Sequence, residues 1–401
     1  MEDEMTAPET RYVPHELVTQ ILLRLPVESL VRFTCVCKTW QDTITGESFQ
    51  REHLGFQEPC VLIAPQIGGG DSLKVTTPGL YRWEKSQCAA TLVQAMDSLP
   101  AVEANRRHNL AHCDGLVLVV SRDDTVWVLN PATHQALSLP QSYSTLIPPR
   151  YPFLGAFGLG HNPRSNTYKV ARIYYHSVDT RGTGGCRFTF RAEVFIIGRD
   201  QHWRQTTTPP PYPIIARRTA TFFKGSLLWT IDESIMRVGG DVAVRGFLRF
   251  NLTDESFSIT PAPPGCPDLG YSTFNLAEMC GELYLAHEGP KEEGSFRCRS
   301  VSIWACNDVD GSNPPRWVRR HVINVPHCIH LIATSKEGIL FQDGSYNIMC
   351  SDRQSIEGVR HVATMHDLTY HHPDSNTYVN YPKEIVYSYD LIPYVPSMLP
   401  V

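Results

Sequence analysis

Short apolar runs separated by turn residues fill this chain from about residue 58 onward, and this pattern limits its fold more than any other feature. The runs are rich in β-branched and aromatic side chains, and most lie near Gly, Pro, Asn or Asp. The clearest runs are 115–120, 126–129, 168–174, 194–197, 227–229, 247–250, 283–285 and 301–304. With 30 prolines and 27 glycines in the chain, the pattern predicts short strands joined by tight turns. Long-helix and coiled-coil architectures are disfavoured.

A weak internal repeat runs through the same region. A glycine followed closely by leucine among apolar residues recurs at Gly115, Gly225, Gly281 and Gly338. The first separation is about twice the other two, and another strand-like run, beginning at Tyr168, fills the missing position. A period of roughly 50 residues with several short strands per unit is typical of a kelch-like β-propeller. The sequence therefore predicts about six blades.

The segment 13–54 follows a different period. Apolar residues recur there at helical spacing in two stripes. The first contains Val18, Ile21, Leu22 and Leu25, and the second contains Leu30, Phe33, Cys37, Trp40 and Ile44. Pro14 suits a first helical turn, Pro26 ends the first helix, and Gly46 separates a short third one. Three short helices bury little surface alone, so this module needs a partner for its exposed apolar side.

Composition and charge exclude several functional classes. The net charge is −5, with four of the acidic residues within positions 1–10, so no basic excess favours nucleic-acid binding. No apolar run approaches the roughly 18 residues of a membrane span, and no secretory signal is visible. Twelve scattered cysteines without a C-x-x-C pair indicate reduced thiols. We expect a protein of the cytoplasm, the nucleus or both.

The helical segment resembles the F-box motif. Residues 13–30 match its first half, residues 32–40 with the run Val36-Cys37-Lys38-Thr39-Trp40 match its second half, and Phe49 and Leu54 match its end. Val13 stands where the family usually has leucine, which keeps an apolar contact.

The β region resembles the F-box-associated domain of plant F-box proteins, whose architecture is propeller-like. The resemblance rests on runs such as Asn130-Pro131-Ala132-Thr133 and Tyr168-Lys169-Val170, in the family's order. It thins after residue 345, where the run 387–391 is a candidate closing strand. The expected fold is an α+β multidomain chain, with an acidic tail over 1–10, an F-box over 11–55, a mostly-β propeller-like domain over 56–395 and a C-terminal tail over 396–401.

The resemblance implies a receptor without catalytic chemistry of its own. An F-box docks on a Skp-family adaptor, which connects it to the cullin and RING subunits of an SCF-type ubiquitin ligase, and the β domain would recruit an unknown protein substrate. The residues that the resemblance assigns to the adaptor contact are Val13, Pro14, Leu17, Ile21, Leu25, Pro26, Leu30, Val36, Cys37 and Trp40. Segments 66–79, 141–153, 176–190, 262–273 and 288–298 are candidate target-binding loops.

Two alternatives remain open at this stage. The chain could be a non-ligase scaffold that uses its propeller for protein interaction, or a propeller enzyme. An enzyme needs a metal or acid–base constellation, and the candidates are weak: His327-Cys328 with His330, the pair His371-His372, and His112-Cys113-Asp114. Neighbours on a strand point to opposite faces, so His112 is poorly placed to activate Cys113. The Gly-rich runs 68–71 and 182–185 lack the lysine of a phosphate-binding loop. We expect no cofactor and no metal.

Overall fold

The computed structural model of this protein describes sixteen stretches of the chain. These are residues 13–68, 75–85, 87–96, 110–121, 125–142, 155–179, 187–216, 218–238, 244–266, 269, 274–289, 299–306, 316–325, 329–334, 338–352 and 358–401. The acidic segment 1–10 lies outside the described residues. No helix within these stretches is both long and apolar enough to cross a bilayer.

The N-terminal module contains four helices where the sequence predicts three. They are α1 (His15–Leu22), α2 (Val27–Phe33), α3 (Lys38–Thr45) and α4 (Glu47–Leu54). The predicted second helix is broken by the turn Thr34–Cys37, where Cys37 adopts extended backbone angles. Threonine, valine and cysteine are weak helix formers, and four such residues follow one another in this turn, which favours the break.

Six blades form the rest of the fold: five are antiparallel four-stranded sheets, and blade 1 is a seven-stranded sheet. Blade 1 begins with β1 (Cys60–Gly68), β2 (Val75–Thr76), β3 (Gly79–Trp83) and β4 (Ala89–Ala95). Blade 2 contains β5 (Leu110–Cys113), β6 (Leu116–Val120), β7 (Val126–Asn130) and β8 (Gln135–Ser138). Blade 3 contains β9 (Gly155–Asn162), β10 (Thr167–Asp179), β11 (Arg187–Ile196) and β12 (Arg204–Gln205).

The second half of the ring repeats this pattern. Blade 4 contains β13 (Thr221–Phe223), β14 (Ser226–Thr230), β15 (Gly246–Asn251) and β16 (Phe257–Pro261), with helix α5 (Glu233–Val238) between β14 and β15. Blade 5 contains β17 (Phe274–Met279), β18 (Glu282–Glu288), β19 (Arg299–Cys306) and β20 (Trp317–Val325). Blade 6 contains β21 (His330–Thr334), β22 (Gly338–Gln342), β23 (Asn347–Asp352) and β24 (Val359–Thr364).

The last three strands return to blade 1 and close the ring. Strands β25 (Thr369–His372) and β26 (Thr377–Val379) form a hairpin, and β25 lies parallel to β4. Strand β27 (Val386–Tyr394) pairs antiparallel with β1 and is the innermost strand of blade 1. It contacts the innermost strands of blades 6 and 2, so the inner strands β5, β9, β13, β17, β21 and β27 form a closed circle. The predicted closing strand over 387–391 is part of β27.

The repeat predicted from glycine spacing lies at equivalent places in four blades. Gly115, Gly225, Gly281 and Gly338 each stand at the start of a blade's second strand, and the run at Tyr168 falls within the second strand of blade 3. At Gly115, Gly225 and Gly281 the glycine and the residue before it both have positive φ. Such two-residue turns join antiparallel strands with the right twist and favour glycine. Turn chemistry thus explains the repeat, and the prediction of about six blades is confirmed.

Candidate interaction surfaces

One side of the helical module packs against the propeller. Its buried apolar cluster joins residues of α1, α2, α3 and α4 to two residues of the β domain. Its members are Leu22, Leu23, Val27, Leu30, Ile44 and Phe49 from the helices, with Ala132 and Met398 from the propeller. Ala132 lies in the β7–β8 turn, and Met398 lies in the segment that follows β27. The module and the propeller therefore share one core.

Polar contacts surround this apolar junction. The Glu28 carboxylate accepts a 2.8 Å hydrogen bond from Arg82 on β3. Asn166, in the β9–β10 turn, donates to the Glu47 carboxylate at 3.1 Å. In the same turn region, Nη2 of Arg51 lies 3.1 Å from Nε2 of His161. The contacts reach blades 1, 2 and 3, which fixes the orientation of the module relative to the ring.

A row of apolar side chains on α1 is left uncovered by this docking. Val13, Leu17 and Ile21 are spaced four residues apart, so they follow one face at the helix and its start. Their exposed fractions are 50%, 56% and 58%, although Leu22 and Leu23 on the same helix are buried. Helix α1 therefore has two apolar faces, of which one packs internally and the other faces outward. We call the outward residues Val13, Leu17 and Ile21 the α1 row.

The remaining residues that the resemblance assigns to an adaptor contact fall into three groups. Pro14, Pro26, Val36 and Cys37 are exposed, and Leu25 and Trp40 are partly buried. Leu30 has an exposed fraction of 0% and packs within the shared core, so it presents no surface to an adaptor in this structure. Both stripes contain residues of the internal core, and periodicity alone does not separate inward from outward apolar positions.

The propeller presents two ends, and the helical module covers only one. Counted outward from the channel, the first and third strands of each blade run toward the end that carries the β5–β6, β7–β8 and β9–β10 turns, which is the end that contacts the helices. The second and fourth strands run toward the opposite end, which we call the far face. The strands that precede the five predicted target-binding segments are β1, β8, β10, β16 and β18, and all end at the far face. Most residues of those segments lie outside the described residues.

The channel enclosed by the inner strands contains the His112-Cys113-Asp114 run. A cavity of about 170 Å³ lies there, lined by parts of β5, β13, β17, β21 and β27. Burial lowers the pKa of His112 to about 4 and raises the pKa of the Cys113 thiol well above its usual value. Asp114 accepts a 2.8 Å hydrogen bond from Tyr168. A neutral imidazole beside a protonated thiol is unsuited to nucleophilic catalysis.

The candidate metal residues have ordinary structural contacts where they are described. His330 Nδ1 lies 3.0 Å from Nδ2 of Asn275 on the neighbouring blade. His371 stacks on Tyr378 at 4.6 Å between ring centroids, and His372 lies 3.1 Å from the Tyr81 hydroxyl. Across the sixteen described stretches, no three His, Cys, Asp or Glu side chains are grouped as a metal site. His327, Cys328 and most of both Gly-rich runs lie outside those stretches.

The C-terminal segment contributes to the junction, which the sequence pattern does not predict. Pro396, Ser397, Met398 and Leu399 are all buried, although the sequence treats 396–401 as a tail. Their anchor is Asn130, at the end of β7. Its side-chain amide donates to the carbonyl oxygens of Ser397 and Leu399, at 3.1 and 2.7 Å. The Asn130-Pro131-Ala132 run resembles a family motif, but nothing in the local sequence indicates that it binds a segment so far along the chain.

Comparison with known proteins agrees with this architecture. The profile of the family described as "F-box associated beta propeller domain" matches residues 81–401, and that of the F-box domain matches residues 13–52. F-box protein CPR1 of Arabidopsis thaliana is 26% identical over 268 residues, covering 63% of this chain and 60% of that protein. F-box/WD-40 repeat-containing protein 1 of the same plant is 21% identical over 356 residues, covering 88% and 77%.

Coverage of the relatives is incomplete. In three of them the match with this chain spans between 45% and 60% of the relative's length. Among solved structures, a hydrazine synthase chain from Kuenenia stuttgartiensis gives a TM-score of 0.39 at 13% identity, covering 77% of this chain and 93% of that one. This last likeness supports no functional conclusion. The two family matches cover the helical module and nearly all of the propeller, and the chain belongs to the F-box proteins that carry an F-box associated β-propeller domain.

Proposed function

We propose that this protein is the substrate-receptor subunit of an SCF-type ubiquitin ligase. In this proposal the F-box binds a Skp-family adaptor, which connects it to cullin and RING subunits, and the propeller holds a protein target. The chain itself carries out no catalytic step. It accelerates ubiquitin transfer by keeping the target at high effective concentration near the conjugating enzyme.

The α1 row is the observation that carries the adaptor contact. Val13, Leu17 and Ile21 each expose half or more of their side chain on one face of a docked module. Apolar residues aligned in this way lose water contact when a partner covers them, which favours association. Exposed Pro14, Pro26, Val36 and Cys37 are further members of the proposed contact. Leu30 supports it from inside the core.

The far face is the proposed site of target binding. The F-box occupies the opposite end of the ring through contacts with Ala132, His161 and Asn166. A target on the far face would therefore not compete with the adaptor for space. The contacts to three blades also hold the two surfaces in a fixed relation, which a receptor needs in order to present its target.

The adaptor contact is tested with the double variant Leu17→Asp/Ile21→Asp. Both side chains are exposed, so the change leaves the internal core intact and places charge in the proposed apolar contact. We expect binding to a purified Skp-family adaptor, measured by calorimetry, to weaken by at least about a hundredfold, because an unpaired charge is costly to desolvate. The matched control Ile259→Asp/Val318→Asp changes two exposed apolar residues on blades 4 and 5, far from the F-box, and should bind like wild type.

The ligase role is separated from a scaffold role by a second experiment. Wild type and the α1-row variant are each assembled with adaptor, cullin and RING subunits, and ubiquitin transfer to proteins captured by the propeller is followed. Transfer that requires both the propeller and an intact α1 row supports the receptor. Adaptor binding without any transfer would favour the scaffold, and equal adaptor binding by wild type and Leu17→Asp/Ile21→Asp would refute the proposed contact.

A further inference from the structure

A cavity lies at the junction between the F-box and the propeller, apart from both proposed protein-binding surfaces. Its volume is about 410 Å³. Parts of α2, β3, β4, the β7–β8 turn, the β25–β26 turn and the segment after β27 line it. Pockets that hold small molecules commonly have volumes of roughly 300–1,000 Å³ and are mostly apolar. We call this space the junction cavity.

The wall of the junction cavity is apolar. Buried parts of the wall come from the β7–β8 turn and from the end of β27, and partly buried parts come from β4. The residues are Val93, Pro131, Ala132, Tyr394 and Pro396. Proline rings, a tyrosine ring and aliphatic side chains offer a surface that favours an apolar molecule over water.

Charged groups at the cavity largely cancel one another. Arg82 is paired with Glu28 at 2.8 Å, so its guanidinium is already neutralised. Asp374 and His134 are exposed and contribute from the β25–β26 and β7–β8 turns. An anion would meet Glu28 and Asp374, and a cation would compete with the existing Arg82–Glu28 pair. This balance favours an uncharged occupant.

One lining residue carries a buried polar atom that lacks a partner. Within the described part of the chain, Oε1 of Gln94 is buried without a hydrogen-bond partner. The other amide atom of Gln94, Nε2, donates to the carbonyl of Ala95 at 3.1 Å. An unsatisfied buried acceptor carries a free-energy penalty, and a ligand donor reached by rotation of the Gln94 side chain would remove it.

We propose that the junction cavity binds an uncharged, mostly apolar small molecule that carries an N–H or O–H donor for Gln94. Its apolar body lies against the β4, proline and Tyr394 wall. Because the lining comes from α2 and from blades 1 and 2, an occupant would contact the F-box and the propeller together. The site is independent of ligase activity, and its test does not require an assembled ligase.

The test captures small fragments at a thiol placed in the cavity wall. Thr91 lies in the lining, and the Thr91→Cys variant is incubated with disulfide-bearing fragments under mildly reducing conditions. The fragments are a neutral aryl amide, the matching aryl ester, an aryl carboxylate and a benzylammonium. Intact-mass and peptide mapping distinguish the new thiol from the exposed natural ones, such as Cys88. We expect capture of the amide to exceed capture at Ser375→Cys, an exposed site on the nearby turn, by about tenfold.

Two further variants connect capture to the proposed contacts. Val93→Phe in the Thr91→Cys background fills part of the cavity. Capture of the amide at Cys in place of Thr91 should then no longer exceed its capture by the Ser375→Cys variant. Gln94→Leu removes the acceptor, so the amide should lose its advantage over the ester. Val93→Cys serves as the capture site if Thr91→Cys does not fold, as judged by circular dichroism. Equal capture inside and outside the cavity, or best capture of a charged fragment, would overturn the proposal.

Discussion

Asn130 Nδ2 donates a 2.7 Å hydrogen bond to the carbonyl oxygen of Leu399, 269 residues later in the chain. The same amide reaches the carbonyl of Ser397, and its oxygen accepts from the backbone N–H of Ala132 at 3.1 Å. Between the two bound carbonyls stands Met398, whose side chain enters the F-box core. One fully buried asparagine thus holds the end of the chain against blade 2 and presents Met398 to the helices.

The first prediction isolates the donor function of Asn130. Asn130→Asp keeps the oxygen that accepts from Ala132 but places a carboxylate against the carbonyls of Ser397 and Leu399. We expect a loss of at least about 2 kcal/mol in the free energy of unfolding, because a buried charge replaces a satisfied amide. Urea unfolding measures the loss. Hydrogen exchange should show reduced protection concentrated in residues 396–401 and in α1 and α2. Unchanged protection there would contradict the idea that Asn130 holds the C-terminal segment against the helices.

The second prediction concerns Met398. Met398→Ala should destabilise the protein by about 2 kcal/mol or more, since it leaves a cavity between Leu22, Leu30 and Ala132. The volume-conserving control Met398→Leu should cost less than about 1.5 kcal/mol. Thermal unfolding of both variants gives the comparison. If alanine and leucine are tolerated equally, packing of Met398 does not contribute to docking of the F-box.

The third prediction compares two glycines at equivalent turns. Gly115 has φ +85°, and a Cβ there would lie 2.5 Å from the carbonyl oxygen of Val395 and from Oγ of Ser397. Gly281, at the same place in blade 5, has φ +78° with nothing within 4 Å of such a Cβ. Gly281→Ala should cost about 1 kcal/mol from backbone strain alone. Gly115→Ala should cost roughly 1–3 kcal/mol more, because the added methyl group clashes with the C-terminal segment. Urea unfolding measures both losses. Equal losses would show that the C-terminal segment moves away from the methyl group without a free-energy penalty.

Local chemistry explains which parts of the fold were predictable. The glycines at 115, 225 and 281 could be found because blades 2, 4 and 5 each have a tight two-residue turn before the second strand, and that turn favours glycine. Blade 1 leaves a weaker trace, because it joins β1 to β27 from opposite ends of the chain. Pairing across such a distance depends on the closure of the ring, and no residue near β1 encodes it.

The candidate site was predicted in part for a similar reason. Helical spacing identified apolar positions on α1 and α2, and Leu17 and Ile21 are indeed exposed. The same spacing could not tell that Leu30 lies in a core completed by Met398, since that contact comes from the last residues of the chain. Sequence periodicity gives the apolar faces of a helix, whereas the choice between core and surface is made by tertiary packing.

The last prediction concerns acid stability and Glu255, in the β15–β16 turn. Its carboxylate accepts hydrogen bonds from Lys169 of blade 3 at 2.9 Å and from two nitrogens of Arg204 at 2.7 and 2.8 Å. The Arg204 hydrogen bonds, aided by Lys169, lower the pKa of Glu255 to about 2. A carboxylate with a depressed pKa stabilises the fold fully above its unfolded-state pKa, near 4.3, and this contribution is lost as the pH falls toward 2.

Glu255→Gln tests this contribution. At pH 7 the variant should lose about 3 kcal/mol in the free energy of unfolding, because the buried Lys169 side chain loses its carboxylate partner. The difference between wild type and variant in urea unfolding should shrink as the pH falls from about 4.5 toward 2, since the wild-type carboxylate is then protonated. In an Arg204→Ala background, Glu255→Gln should change the pH dependence of stability less than it does in wild type. The reason is that the main cause of the low pKa of Glu255 has already been removed. A difference that stays constant across this range would show that Glu255 stabilises the junction of blades 3 and 4 without its charge.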